Sequence, residues 1–334
     1  MTRRDGALRK AVRRIESLLV PWEEVGVVSE LYMHPVKSCR GLSVTEAKCT
    51  AFGLQSGENK DRHFVIVDEK TRASVSAKVN PRTVLIQCSV DNGILQLESS
   101  LEEDKVSFGS VRVDLDKVKR DAAVAFASFF DGEKCEGLDC GHPVSNWLTQ
   151  FPNNEESEQP TTYRMIQFLP ALNNDRRVNS LPLVKSMNDV IASRSDKIPY
   201  VDLAPVTLHS HQSLAELNGR ILSEGGTEVS MRQFRPNIVI EGQDLTAFEE
   251  DTWSRVKIGQ SAEFSSLIPA GRCAVTTVDT EKGTFDKGNE PIRTLKSYRL
   301  GDAPVFDYLP KFGICLAPDT LGTIRVGDTV FAKK

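Results

Sequence analysis

From Val25 onward the first half of the chain alternates apolar and polar residues with a period of two, in short runs rich in β-branched side chains. Such alternation sends successive side chains to opposite faces of a strand. It predicts strands over Val27–Tyr32, Leu42–Thr50, Phe64–Val67, Thr83–Val90, Ile94–Leu97 and Val111–Leu115, with turns at Gly53, Asn92-Gly93 and Gly109. The Asn-Gly pair is the strongest turn signal, because both residues accept the positive φ of a tight hairpin. The first half is therefore expected to be a mostly antiparallel β unit. A helix over Pro143–Phe151, with Trp147 and Leu148 facing inward, is expected to close it.

The polar, acidic stretch Pro152–Gln159 reads as a linker between domains. A second break, Asn173–Arg194, holds Asp175-Arg-Arg177 and no clean period, and long loops of this kind usually carry function or move. Beyond it the element types mix. A strand over Val206–His209 runs into a helix over Ser210–Ile221, whose start carries Ser213 three residues before Glu216. Strands follow at Asn237–Ile240, Trp253–Ile258 and Ala262–Ile268, then a helix over Pro291–Arg299 and two strand-like pieces around Gly327-Asp328. At the other end, Ala7 to Val20 reads as a basic amphipathic helix. It could pack on its own domain, lie on an anionic membrane surface or serve as an import signal. The expected class is α+β, mainly β. The segments are a basic N-terminal piece over 1–25, a β-rich domain over 26–158 and a second domain over 159–334.

Composition narrows the possible functions. The 334 residues suffice for two cores, and a net charge of −4 gives no basic footprint for nucleic acid. No apolar run is long enough to span a membrane, and no secretory signal peptide is visible. The seven cysteines are odd in number and scattered, which points to free thiols in a reducing compartment.

The candidate chemistry centres on Arg272-Cys273. A turn at Pro269-Ala270-Gly271 is expected to deliver both residues to the mouth of a strand over Val275–Val278. Cys273 is then either a small apolar residue starting a buried strand or a thiol beside a permanent cation. The second setting favours the thiolate that binds soft metals. Lys37 and Ser38 lie in a proline- and glycine-bounded turn, and Arg62 and Arg235 precede strands. With Arg272 these cations either form a cradle for a polyanionic cofactor or are unrelated salt-bridge partners. Cys135, Cys140 and His142 invite a zinc reading but supply too few ligands for a structural site. No Walker or Gly-x-Gly-x-x-Gly spacing occurs, and no Gly-x-Ser-x-Gly elbow.

Six stretches taken in order, HPVKSCRG, GLQSGENKDRHFVIVDE, FRPNIVIEG, GRCAVTTVD, PIRTLKSYR and GTIRVGDTVF, resemble the MOSC-domain family, and within it the amidoxime reducing components. The resemblance covers residues 26–333. It implies an N-terminal β-rich domain plus a MOSC β-barrel domain with flanking helices, and a molybdenum cofactor (Mo-molybdopterin) in the cleft. By matching positions it implies Cys273 as the molybdenum ligand and catalytic residue. Lys37, Ser38, Arg62, Leu203, Ala204, Arg235, Asn237, Gly271, Arg272 and Cys315 would bind the cofactor. Leu203-Ala204, Cys315 and His34 depart from the usual residue types, which puts substrate range in doubt. The implied reaction is two-electron reduction of N-hydroxylated compounds. Its electrons would come from cytochrome b5 and NADH-cytochrome b5 reductase, since no flavin, nicotinamide or iron–sulfur motif is visible. Location at the mitochondrial outer membrane surface is implied, with the cytosol as the alternative because no hydrophobic anchor is seen. A different reading is a sulfur carrier or cofactor-handling protein that uses a persulfide at Cys273.

Overall fold

The computed structural model describes residues 20–129, 132–151, 161–172, 176–178, 191, 193–301, 306 and 308–334. The predicted helix over Ala7–Val20, the linker Pro152–Gln159 and most of the Asn173–Arg194 break lie outside them.

The protein is mainly β, and seven strands close into a barrel. Around the barrel run Ile238–Glu241, Val206–Ser210, Lys311–Thr320, Ala262–Gly271, Arg255–Ile258, Thr329–Lys333 and Glu23–Met33, and the last pairs back with Ile238–Glu241. Alternate residues from these strands fill the interior: Val206 and Leu208, Ile238 and Ile240, Val256 and Ile258, Ile314 and Leu316. This is the period-two pattern of the sequence turned inward, and closure leaves no open edge. The pair Val206–Ser210 and Ile238–Glu241 is parallel, so the chain must cross over between them. It does so through the helix His211–Ser223.

Smaller sheets sit outside the barrel. Phe64–Asp68, Tyr163–Gln167, Lys134–Asp139 and Val124–Ser128 form one, and Ile86–Asp91, Ile94–Ser99 and Ser110–Asp114 form another. The hairpin between the last-named sheet's first two strands turns on Asn92 and Gly93, both at positive φ, as predicted. The helix His142–Gln150 buries Trp147 and Leu148 against the same core, also as predicted. Glu23–Met33, early in the chain, belongs to a barrel otherwise built from residues after 205.

Several predicted boundaries are corrected. The strand expected from Thr83 starts at Ile86, because Asn80 caps a 3-10 turn over Pro81–Leu85 through the Arg82 amide. The run expected as one strand over Leu42–Thr50 is two, Leu42–Val44 and Glu46–Thr50, which join different sheets. Ser210, one residue before the helix, is its cap and accepts from the Ser213 amide at 3.1 Å. Ser213 instead donates to buried Glu250 at 2.7 Å. Pro269-Ala270-Gly271 is the bulged end of the strand Ala262–Gly271. A bulge tolerates the proline's missing amide, so no turn is needed. The strand expected over Val275–Val278 is a 3-10 turn over Ala274–Thr277. There the Thr276 and Thr277 hydroxyls donate to the carbonyls of Cys273 and Ala274, an alternative to strand pairing for the backbone.

Candidate cofactor cradle

Five segments distant in sequence meet at one end of the barrel, with Arg62 at the junction. The Arg62 amide donates to the His34 carbonyl at 2.7 Å, and the Arg62 carbonyl accepts from Tyr200 at 3.1 Å. Its side chain donates to the Arg235 carbonyl at 3.2 Å and to Asn237 Oδ1 at 3.4 Å. Arg235 donates to the carbonyls of Ser38 and Cys39 at 3.3 and 2.7 Å, and Arg272 donates to the Phe234 carbonyl at 3.0 Å. Lys37, Arg62, Arg235 and Arg272, scattered through the sequence, thus share one region.

Three residues of this region hold left-handed backbone without being glycine: Ser38 (φ 71), Arg62 (φ 51) and Arg235 (φ 54). Each such residue costs on the order of 1 kcal/mol or more, and persists only where its surroundings over-determine it. The carbonyl and amide bonds above do that here. Strain of this kind gathers at sites that must aim a side chain.

The region is rich in poorly neutralised positive charge. Asp61 is fully buried and pairs with Arg62. Burial alone would push its carboxyl up, but Arg62 and the His34 contacts hold it well below the usual carboxylate range. Lys37 is bonded to Asp202 at 2.5 Å, and Asp202 stands at the solvent edge. Burial pulls the Lys37 ammonium below the usual lysine range, against the opposing pull of Asp202. Among the described residues neither Arg235 nor Arg272 has a carboxylate within ion-pair reach. Burial lowers both guanidinium groups to about 10, with Arg62 adding repulsion. His34, behind them, is pushed down to about 3, by burial first and then by Arg235 and Arg62, so it stays neutral.

Cys273 lies at the exposed end of this arrangement, and the other six cysteines are buried. It follows Gly271, where the long strand ends. The Arg272 guanidinium turns inward to the carbonyls of Phe312 and Phe234. Asn237 is a strut: its Oδ1 accepts from the Thr207 amide at 3.1 Å and its Nδ2 donates to the Tyr32 carbonyl at 3.3 Å. Leu203, Ala204 and Cys315 gather in one small apolar cluster with Leu267 and Ala270, beside the strand that leads to Cys273. Burial pushes the Cys315 thiol up to about 11, so it remains an apolar filler. Cys135 and Cys140 belong to two different hydrophobic clusters, and among the described residues no group of three His, Cys, Asp or Glu could hold a metal.

Sequence reasoning missed Asp202, Arg176 and His209. Asp202 directly precedes Leu203-Ala204, and a charge on that loop was the available signal. Arg176 lies in the break recognised as functional or mobile. Its Nε donates to Glu133 at 2.6 Å and its Nη1 to the Pro199 carbonyl at 2.9 Å, and its guanidinium stacks 4.4 Å from the centre of the Phe129 ring. The Lys37 ammonium lies 5.7 Å from the centre of the same ring. Nη2 of Arg176 and Nη2 of Arg235 are buried donors without a hydrogen-bond partner among the described residues.

Comparison with known proteins matches residues 25–155 to the MOSC N-terminal beta barrel domain and residues 195–331 to the MOSC domain. The chain is 34% identical over 312 residues to mitochondrial amidoxime reducing component 2 of Macaca fascicularis, covering 92% of this chain and 84% of that protein. It is 34% identical over 327 residues to mitochondrial amidoxime-reducing component 1 of Danio rerio, covering 98% and 89%. A crystal structure of the YUAD protein from Bacillus subtilis aligns over 94% of this chain and all of that one, at 11% identity and a TM-score of 0.35, too low to bear on the argument.

Proposed function

The chain belongs to the MOSC-domain family and has amidoxime reducing components among its relatives, and from that premise we propose that it is a molybdenum-cofactor-dependent reductase of N-hydroxylated compounds. The observation that carries the reading is the cationic region around Arg62, which ends in the one exposed thiol, Cys273. Excess buried positive charge with unpaired donors on Arg176 and Arg235 fits a phosphate-bearing pterin. An exposed cysteine outside any group of three potential metal ligands among the described residues fits a metal that brings its own sulfur donors.

In this proposal Cys273 supplies the protein's thiolate to molybdenum. Lys37, Ser38, Arg62, Arg235 and Arg176 hold the pterin and its phosphate, with Asp202 setting the position of the Lys37 ammonium. Arg272 and Asn237 act through the backbone they brace, and Leu203, Ala204 and Cys315 line the apolar side. When bound, the centre would supply the two electrons that cleave an N–O bond and would take up the released oxygen. What the chain contributes is a set of cations already gathered in one region, whose side chains would exchange their present carbonyl and carboxylate partners for the anion, and low-dielectric walls that strengthen each charge-assisted contact. Electrons would arrive from cytochrome b5 and its NADH-dependent reductase, as the resemblance implies. The relatives' mitochondrial names support a mitochondrial location for this reading, and among the described residues no helix is long and apolar enough to cross a membrane.

The test is molybdenum and pterin content of the purified protein, followed by reduction of an N-hydroxyamidine with cytochrome b5, its reductase and NADH. Turnover proportional to molybdenum content is expected. Molybdenum without turnover would favour the cofactor-handling or sulfur-carrier reading, for which an exposed Cys273 is equally suited. Absence of molybdenum after expression in a cofactor-producing host would overturn the proposal.

A further inference from the structure

Arg272 is locked into the barrel by acceptors that carry no charge. Its Nε and Nη2 donate to the Phe312 carbonyl at 2.8 and 2.6 Å, and its Nη1 donates to the Phe234 carbonyl at 3.0 Å. The remaining Nη2 hydrogen is aimed at His209 Nε2, 2.5 Å away. His209 is completely buried on the barrel strand Val206–Ser210. Its ring lies 5.7 Å from that of Phe312 and 6.4 Å from that of Phe234. Gly313 makes room for it, since a Cβ there would fall 2.4 Å from His209 Cδ2.

A guanidinium can only donate, so His209 Nε2 must accept and the ring proton sits on Nδ1. That Nδ1 is buried and has no hydrogen-bond partner among the described residues. An apolar side chain would fill the same space without stranding a donor in the core. The imidazole therefore carries a penalty that packing does not explain, and the acceptor it offers Arg272 does. A carboxylate would also accept, but it would cancel the charge of Arg272. Burial, then Arg272 and Arg62, keep the imidazole well below its ordinary range and so neutral.

We propose that His209 is a positioning residue: its neutral Nε2 completes the acceptor set of Arg272 without neutralising it, and thereby fixes the strand end that presents Cys273. The idea rests on Cys273 being the reacting ligand, but the positional effect can be read without any cofactor. Cys273 follows Arg272 directly, so freedom in the Arg272 anchor is passed to the next residue through one peptide. The two carbonyls that share the guanidinium come from different segments, at Phe234 and Phe312. The His209 contact adds the strand Val206–Ser210, which also pairs with the strand that carries Phe312.

The experiment uses the full-length chain purified without molybdenum. A nitroxide is attached to Cys273, the one exposed cysteine, and its mobility is read by electron paramagnetic resonance in wild type, His209→Gln and His209→Leu. Glutamine keeps an acceptor and leucine keeps only the bulk. The label's rotational correlation time should fall about twofold in His209→Leu, within the nanosecond range of side-chain motion, and stay near wild type in His209→Gln. If His209→Leu does not fold, His209→Met takes its place, since methionine fills irregular gaps. A purely packing role predicts that the leucine protein is at least as ordered as the glutamine protein, and that outcome overturns the inference. So does a label equally mobile in all three proteins. Molybdenum content of the same variants, expressed with cofactor, separates the two ideas. A mobile label with unchanged content keeps the positioning role and counts against Cys273 as the ligand.

Discussion

Arg62 donates through Nη2 to the backbone carbonyl of Arg235, 3.2 Å away and 173 positions further along the chain. Both residues hold left-handed backbone. The bond ties the loop before the strand Phe64–Asp68 to the loop before the strand Ile238–Glu241, so two cations are held side by side despite their repulsion. Asp61, paired with Arg62, offsets part of this repulsion, and the proposed anionic cofactor would offset the rest.

The cradle should fail one cation at a time. Arg235→Ala should lower bound molybdopterin roughly ten- to a hundredfold under limiting cofactor, since a charge-assisted contact contributes about 1.5–3 kcal/mol. Lys37→Ala and Arg62→Ala should do likewise, and Arg→Lys should recover only part, because an ammonium lacks the planar fork. Pterin per protein is measured beside the melting temperature. Lower melting with unchanged pterin in all three variants would mean that these residues are salt-bridge and backbone struts alone.

Cys273→Ala and Cys273→Ser should both abolish N-hydroxyamidine reduction with the fold intact, as judged by circular dichroism. Serine offers a harder oxygen donor and should not rescue turnover. Cys135→Ala and Cys140→Ala should leave turnover per bound molybdenum unchanged, because both thiols are buried in hydrophobic clusters. Activity retained in Cys273→Ala would remove Cys273 from the mechanism.

Glu250 should make the protein less stable as pH rises. Burial pushes its carboxyl up to about 7, against the hydrogen bond from Ser213, whereas in the unfolded chain it titrates near 4.3 as an ordinary glutamate does. Below the unfolded value both states carry the proton and the full stability is present. Above it the unfolded state releases the proton more readily, so stability is lost as pH rises through the folded value. The loss should total about 4 kcal/mol across the span between the two values, at roughly 1.4 kcal/mol per pH unit. Urea midpoints taken at about pH 5 and about pH 8 for wild type and Glu250→Gln check this. The amide should flatten the decline, and an unchanged decline would assign it to another group.

Gly313→Ala should destabilise more than Gly57→Ala. Both glycines have positive φ, but a Cβ at Gly57 meets nothing within 4 Å, whereas one at Gly313 meets His209 at 2.4 Å and the Leu208 carbonyl at 2.7 Å. Backbone strain alone should cost Gly57→Ala on the order of 1 kcal/mol, and the added clash should bring Gly313→Ala to roughly 2–4 kcal/mol. Denaturant unfolding of the two variants gives the comparison, and equal losses would mean that the strand yields around the imidazole.

Much of this protein was legible in its sequence because the relevant physics is local. Alternation at Leu95 and Leu97, or at Val256 and Ile258, marks strands since a half-buried strand has one apolar face, whatever it pairs with. Asn92-Gly93 identified its hairpin, and Pro291 the start of the helix Ile292–Tyr298, through backbone chemistry within a few residues. The motif order likewise pointed to a family, and so to Cys273 and its cations. Tertiary structure alone decided what depends on partners far along the chain. The β-branched run at Val275–Val278 became a 3-10 turn whose Thr276 carbonyl is taken by Gln233 Nε2 at 3.0 Å, 43 positions earlier in the chain. Glu23–Met33 closes a barrel made of later strands, which no local pattern could indicate. His209 carried no sequence signal at all: a lone histidine in an apolar strand acquires its meaning only when a strand 63 positions later brings Arg272 against it. Convergence of charge is a property of space, and spacing along the chain does not encode it.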